Sequence, residues 1–152
     1  MSVRPLKVAD VMPLSAMLAR LPLLARYGRD AGKLAVDLTA ALERGDRLLV
    51  EEDAGRLRGI AWFLPSGTLD LGGYLKLIVV APEATRTGVG SALLSAFEAE
   101  TARVSRHAFL LVSDFNHGAQ HFYQHHGYAQ IGALPGLVLP EVVELVYWKR
   151  LR

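Results

Sequence analysis

Two clusters in this 152-residue chain carry residue types at spacings that chemistry can use. The first runs Val79-Val80-Ala81-Pro82-Glu83-Ala84-Thr85-Arg86-Thr87-Gly88-Val89-Gly90-Ser91 and continues into Ala92-Leu93-Leu94. An apolar strand gives way to a short polar turn, and the turn opens directly into an amphipathic helix. A helix N-terminus presents backbone N–H groups that have no intrahelical acceptor, together with the positive end of the macrodipole. Glycines at that point let an anion come close to the backbone, so the segment reads as a site for a phosphate or pyrophosphate. It is not a nucleoside-triphosphate loop, because no Lys-Ser/Thr pair follows Gly90. It is not a dinucleotide fingerprint either: Leu93 stands where a third glycine would fall, and no acidic residue follows a neighbouring strand at the expected distance.

The second cluster is Asn116-His117-Gly118-Ala119-Gln120-His121-Phe122-Tyr123-Gln124-His125-His126-Gly127-Tyr128. Taken alone, Asn116 is an N-cap by type, and Phe122 and Tyr123 are core residues at helical spacing from Ala119. Taken together, the two clusters resemble the acetyl-CoA-binding motifs of the GCN5-related N-acetyltransferase (GNAT) superfamily. That family's first motif is Gln or Arg, two residues, Gly, one residue, then Gly or Ala, after a strand ending Val-x-Pro. Its second motif places Asn, Ala three residues on, Phe-Tyr, then Gly-Phe or Gly-Tyr, which Asn116, Ala119, Phe122, Tyr123, Gly127 and Tyr128 match. The opening Val3-Arg4-Pro5 with Asp10 is also similar to the family's usual start, so the resemblance spans essentially the whole chain. One position departs from it. Thr85 stands where the family has Gln or Arg, and Arg86, one place later, either supplies the cationic contact or faces solvent.

The resemblance implies an α+β fold with a mixed, mostly antiparallel sheet of about six or seven strands and about four helices. The sheet would be splayed at its middle, where acetyl-CoA inserts. It implies that Ile78, Val79 and Val80 pair with the pantetheine arm through their main chain, where plain aliphatic side chains suffice. One of their N–H groups would polarise the thioester carbonyl, a contact of about 3 kcal/mol in comparable sites. Arg86, Thr87, Gly88, Val89, Gly90 and Ser91 would cradle the pyrophosphate, with Asn116 and Phe122 beside the cofactor arm. Tyr123 would protonate the departing CoA thiolate, a task suited to a phenol that keeps its proton at neutral pH and is close to a thiol in acidity.

The implied reaction is direct attack of a primary amine on the thioester in a ternary complex, and the chain has no Cys to carry an acyl intermediate. The acceptor would contact the first two helices, the Gly132 to Pro140 segment and the last strand, which include Arg26, Tyr27, Arg29 and Trp148. Small-molecule amines, peptide N-termini and lysines all remain open as acceptors. The general base is also open, with Glu51, Asp70, Glu83, Asp114, Glu141 and Glu144 as candidates by type. Glu144 lies in an apolar strand, where burial would raise its pKa.

Two readings from other classes stand beside this one. A non-catalytic acyl-CoA-binding sensor would keep the cofactor site and lose turnover; Thr85 and the unassigned base are its support. A metal-binding interaction domain would use His117, His121 and His125, which recur every four residues along one helix face. No acidic or thiolate ligand joins them nearby, and one helix does not readily close three successive turns around a single ion, so a surface stripe and no metal site are expected.

Composition narrows the classes further. Hydrophobic residues make up 51% and charged residues 21%, which suits a folded globular domain. The net charge of +2 is small, and no alternation of aromatics and cations along one face points to nucleic acid. The start of the chain lacks the apolar core of a signal peptide, and the apolar run 75–82, interrupted by Lys76, is too short to span a bilayer. One cytoplasmic domain over residues 1–152 is expected, free of membrane, with a homodimer possible.

The elements that must position both clusters follow from periodicity and punctuation. A first strand covers Val3 to Leu6. Asp10 is placed to cap a helix striped by Leu14, Met17, Leu18 and Leu21. A second helix starts near Asp30, is striped by Leu34, Leu38 and Leu42, and meets Gly45 at its left-handed end. Strands Arg47 to Glu52 and Leu57 to Leu64 flank Asp53-Ala54-Gly55-Arg56, a hairpin signal, and Pro65-Ser66-Gly67 is expected to break the second of them. Tyr74 to Val80 reads as a central strand. A helix then runs from Val89 with Val104 on its apolar stripe, followed by a buried strand Ala108 to Val112 and a short helix Asn116 to His125 closed by Gly127. Strands Tyr128 to Ile131 and Val142 to Trp148 finish the chain around a loop from Gly132 to Pro140.

Overall fold

A computed structural model of the chain describes residues 2–152. Among these residues seven strands form one sheet in the order β1-β2-β3-β4-β5-β7-β6; the pairs β1–β2, β2–β3, β5–β7 and β6–β7 are antiparallel and β4–β5 is parallel. Five α-helices accompany it among the described residues. The strands are β1 (Ser2–Pro5), β2 (Arg47–Asp53), β3 (Arg56–Thr68), β4 (Gly72–Val80), β5 (His107–Ser113), β6 (Ala129–Pro135) and β7 (Val143–Arg150). The helices are α1 (Val11–Ala19), α2 (Pro22–Arg26), α3 (Ala31–Arg44), α4 (Val89–Ala102) and α5 (His117–His125). The chain divides into two compact units, residues 2–63 with 77–97 and residues 64–76 with 98–152.

In the first unit, local signals set the ends of α3. Asp30 accepts from the Lys33 N–H at 2.8 Å, Leu34, Leu38 and Ala41 form the buried stripe, and Gly45 takes the left-handed conformation that ends the helix. The β2–β3 hairpin turns on Ala54 and Gly55, with φ of 50° and 76°, between the paired Asp53 and Arg56. Positive φ at both central residues is the twist a two-residue hairpin needs. Opposite Glu51 and Glu52 the ladder slips from Gly59 to Leu57, which makes Arg58 the extra residue of a β-bulge. The Arg58 guanidinium then forks onto fully buried Glu51 at 2.7 and 2.8 Å.

The helix start near Asp10 differs from expectation in its chemistry. The Asp10 carboxylate makes no side-chain cap for α1. It accepts instead from Arg4 at 2.8 and 3.1 Å and from the Lys7 N–H at 2.8 Å, and Arg4 also reaches Glu52 at 2.7 Å. The Arg4 guanidinium holds the Asp10 carboxyl below the ordinary carboxylate range. A carboxyl depressed in this way stabilises the fold above its unfolded pKa of about 3.9, and that contribution is lost as pH falls through the lower folded value. Asp10→Asn should therefore cost about 1 kcal/mol at pH 7. The gap from the parent protein in thermal unfolding should close below about pH 4.

The helix expected through Leu21 stops at Ala19. Leu21 is extended (φ −84°, ψ 131°) because Pro22 follows it, and Pro22 begins the separate short helix α2. The sequence showed no sign of α2 as an element of its own.

The second unit contains the parallel pair. Gly72, Gly73, Tyr74 and Leu75 of β4 lie opposite His107, Ala108, Phe109 and Leu110 of β5, and β4 continues past this ladder to Val80. β5 pairs along its whole length with β7, and β7 pairs with β6 around a slip at Ile131. Three expectations are corrected here. β3 does not break at Pro65-Ser66-Gly67 but runs to Thr68 and turns on Leu69 and Asp70, at φ of 54° and 57°. Pro65 has no N–H to offer a ladder, yet its carbonyl accepts from Ser105 Oγ at 2.8 Å. Gly67 lies so close to the Leu64 Cβ that an added Cβ would come within 2.8 Å of it. The helix α4 ends at Ala102, which leaves Val104 beyond it and exposed. The segment read as a loop from Gly132 is strand as far as Pro135, because those residues pair with Val143–Val146.

Candidate active site

The first cluster lies in the first unit. After β4 the Ala81 N–H donates to the Arg58 carbonyl at 2.7 Å, and Pro82–Ala84 form a single 3-10 turn. Thr85 Oγ donates to the Pro82 carbonyl at 2.9 Å, and Thr87 Oγ donates to the Ala84 carbonyl. Arg86 and Gly88 both have positive φ, 62° and 88°. Glycine adopts that conformation freely, whereas at Arg86 it is uncommon. The first bond inside α4 runs from the Ala92 N–H to the Gly88 carbonyl at 3.0 Å. The N–H groups of Val89 and Gly90 precede it in the first helical turn, where an α-helix has no i−4 carbonyl of its own to offer.

Arg86, Thr87 and Gly88 are exposed, Gly90 and Ser91 are half-buried, and Val89 is buried as the apolar peg of the turn. On β4, Val79 is buried, while Ile78 and Val80 are half-buried. The turn is seated by Gly59 of β3. A Cβ there would fall 2.8 Å from the Val79 carbonyl oxygen, 2.9 Å from Leu93 Cδ1 and 3.1 Å from Val89 Cγ1. Glycine at 59 is what lets the start of α4 lie directly on the strands, a requirement that the sequence gives no sign of. Thr85, the position that departs from the GNAT pattern, spends its hydroxyl on its own turn.

The second cluster lies in the second unit. Asn116 caps α5, its Oδ1 accepting from the Ala119 N–H at 3.2 Å, so the structural reading of this residue is realised. Its side-chain amide also has donors, which the cap does not use. Tyr123 is 6% exposed. Its ring is fixed by edge contacts with Phe122, Tyr128 and Tyr147, at centroid separations of 5.4, 5.8 and 6.5 Å. Burial pushes the Tyr123 phenol above its ordinary value of 10. Phe122 is half-buried, and its ring lies beside that of His126 at 4.6 Å between centroids, tilted by 58°. Behind this group Tyr128 donates to Glu98 at 3.1 Å, and Lys149 pairs with the same carboxylate at 2.7 Å. Glu98 and Lys149 therefore brace the aromatic cluster from α4 and β7. Sequence spacing does not mark them, because residues 98, 128 and 149 meet only through tertiary packing.

The six carboxylates separate by environment. Glu51 is held by Arg58, Asp70 stands exposed on the β3–β4 turn, and Glu83 and Glu141 are exposed. Asp114 is half-buried, and Glu144 on β7 is 6% exposed, with Ser113 Oγ 3.5 Å away. Arg29 pairs with Asp37, and the Trp148 indole N–H donates to His107 Nδ1 at 3.0 Å. His117, His121 and His125 are all exposed, and among the described residues no group of three or more His, Asp or Glu side chains is placed to hold a metal ion. Among the same residues no helix is long and apolar enough to cross a membrane.

Comparison with known proteins bears on both clusters. The family model of the acetyltransferase (GNAT) domain matches residues 44–130, more than half of the chain and inclusive of both clusters. An N-acetyltransferase from Staphylococcus aureus shares the fold at a TM-score of 0.79 and 17% identity, over 99% of this chain and 98% of that one. A ribosomal-protein-alanine N-acetyltransferase from Brucella melitensis does so at 0.77 and 18%, over 99% of both chains. An aminoglycoside 6'-N-acetyltransferase complexed with coenzyme A gives 0.80 and 17%, over 100% of this chain and 98% of that one. No curated protein sequence matches the chain.

Proposed function

The chain belongs to the acetyltransferase (GNAT) domain family, and from that premise we propose that it transfers the acetyl group of acetyl-CoA directly to a primary amine. The observation that carries this reading is the turn from Arg86 to Ser91. Two left-handed corners, at Arg86 and Gly88, lead straight into the N-terminal turn of α4, where the positive end of the helix dipole falls. That is a cradle for the pyrophosphate of coenzyme A, made of backbone and the helix dipole. It works without the usual Gln or Arg at position 85. One structural neighbour, the aminoglycoside enzyme, is a complex with coenzyme A, which supports the same ligand here.

In the proposed reaction the β4 main chain at Ile78, Val79 and Val80, beyond the parallel ladder, receives the pantetheine arm as an added strand. An N–H from this stretch polarises the thioester carbonyl. The neutral amine adds to the carbonyl carbon, the C–S bond breaks, and the sulfur leaves as thiolate beside Tyr123. The nitrogen gives up its extra proton and the sulfur gains one, leaving amide and free CoA thiol. Asn116 and Phe122 flank the cofactor arm at the start and middle of α5.

Thermal unfolding with coenzyme A, followed by thiol release from acetyl-CoA across a panel of amines, tests the reading. Coenzyme A at a hundred times its Kd should stabilise by about 2.7 kcal/mol, a rise in Tm of about 5–10 °C. No rise would overturn the cofactor assignment. A rise without thiol release for any amine would overturn catalysis and favour an acyl-CoA sensor.

A further inference from the structure

We propose that Glu98 is a positioning residue of the acetyl transfer. Through the hydroxyl of Tyr128 it fixes the ring packed against Tyr123, and so holds the Tyr123 hydroxyl on the sulfur of the bound coenzyme. The inference rests on the acetyl-transfer reading above and adds the group that keeps its proton donor in place.

Tyr128 is tied to Tyr123 twice. Its N–H donates to the Tyr123 carbonyl at 3.0 Å, across the corner that Gly127 makes at φ 91°. Its ring then meets the Tyr123 ring edge-on, at 5.8 Å between centroids and 65° between planes. In a close-packed cluster the orientation of one ring therefore constrains the other. At its far end the Tyr128 phenol donates to Glu98 Oε2 at 3.1 Å, and Lys149 Nζ lies 2.7 Å from the same oxygen. Lys149 also stands 5.6 Å from the centre of the Tyr128 ring, so that ring is gripped at its hydroxyl and on its face. Glu98 belongs to α4 and Lys149 to β7, so the anchor is regular structure on both sides.

The hydroxyls of the three packed tyrosines are used differently. Tyr128 donates to Glu98, and the Tyr147 hydroxyl accepts from Gln124 Nε2 at 3.0 Å. Among the described residues none bonds the Tyr123 hydroxyl, and burial is the one cause that raises its phenol. A buried hydroxyl without a protein partner is costly, and it suits a ligand atom. Burial, and after it the charge of Glu98, raise the Tyr128 phenol above its ordinary range, so Tyr128 remains the donor of its bond. A phenylalanine at 128 would fill the same space, but a bond to a carboxylate adds a direction that packing alone lacks. The Glu98–Lys149 pair is partly open to solvent, with side-chain exposures of 19% and 29%, and such pairs contribute little to stability. Orientation is what this anchor supplies, and an error of about 1 Å in a reacting group costs about a hundredfold in rate.

The test reads the thiol of bound coenzyme A, which needs no acceptor amine. The chain has no Cys, so thiolate absorbance of the coenzyme A complex, taken against the desulfo-coenzyme A complex, follows that one sulfur as pH rises. A hydrogen bond from Tyr123 favours the thiolate, so the parent protein should titrate this thiol about one pH unit below Tyr123→Phe. Glu98→Ala should lose most of that difference, and Glu98→Gln, which keeps an acceptor for Tyr128, should retain most of it. Tyr128→Phe should match Glu98→Ala and takes its place if that variant does not fold. All of these variants should keep the CoA-induced rise in Tm. Removing the Glu98 charge by itself would lower the thiol's value, so the expected rise is not a charge effect. In the Tyr123→Phe background Glu98→Ala should move the titration no further. With any amine that turns over, kcat for thiol release should fall about tenfold in Glu98→Ala and recover in Glu98→Gln. Parent-like titration in both Glu98→Ala and Tyr128→Phe, or an unchanged kcat in both, would overturn the proposal and leave the transfer reading standing. No CoA-induced rise in Tm, or no thiol release with any amine, would remove the transfer reading and the proposal with it.

Discussion

Tyr123→Phe lowers kcat by about 10²-fold or more and leaves the CoA-induced rise in Tm in place. The ring of Tyr123 is already fixed by Phe122, Tyr128 and Tyr147, so phenylalanine fills the same space and only the hydroxyl is lost. A general acid contributes about 10²- to 10⁴-fold when it is positioned at the leaving group. Burial raises the phenol above its ordinary value, which widens the gap to a thiol near 8.5. The sequence alone suggested a phenol close to the thiol in acidity. In the proposed reaction a phenol raised in this way would give the departing sulfur a hydrogen bond in a dry site, with complete proton transfer the smaller part of its role. Because the phenol stays protonated, no alkaline limb in kcat up to pH 10 should disappear in the variant. A kcat within threefold of the parent protein would remove Tyr123 from the mechanism.

Gly59→Ala has the second large expected effect, on stability and cofactor binding together. The added methyl would meet the Val79 carbonyl oxygen at 2.8 Å, and a backbone atom in a sheet cannot turn aside as a flexible side chain can. Overpacking of this kind costs about 1–3 kcal/mol, or about 3–10 °C in Tm for a chain of this size. The strain is relieved most readily by lifting the start of α4, where Val89 and Leu93 are the other near neighbours. That movement displaces the turn from Arg86 to Ser91. CoA affinity should fall about tenfold or more, beyond what the loss of stability alone explains. A variant that loses stability yet binds coenzyme A as the parent does would show that the seat of α4 does not set the cradle.

Much of this protein was legible as sequence because it is local. Asp30 and Gly45 bound α3, Ala54-Gly55 closes a two-residue hairpin, and the strand, glycine turn and helix around Gly88 follow from residues in direct succession. Where such signals misled, a distant partner had intervened. Pro65 sits inside a strand because Ser105, forty residues away, takes its carbonyl, and Gly132–Pro135 is strand because β7 supplies the ladder. Asp10 looks like a cap from its neighbours alone, yet Arg4 on β1 claims its carboxylate.

The two clusters, their order and the family they share were determined by the sequence by itself, since caps, turns and helical periods depend on residues within one or two turns of each other. Only the tertiary structure decided that Tyr123 is buried with a raised phenol, that Glu98 and Lys149 brace it, and that Gly59 seats α4. It alone decided that Glu144 shares a face with Phe109 and Trp148, because which side of a strand a residue takes depends on register against strands tens of residues away.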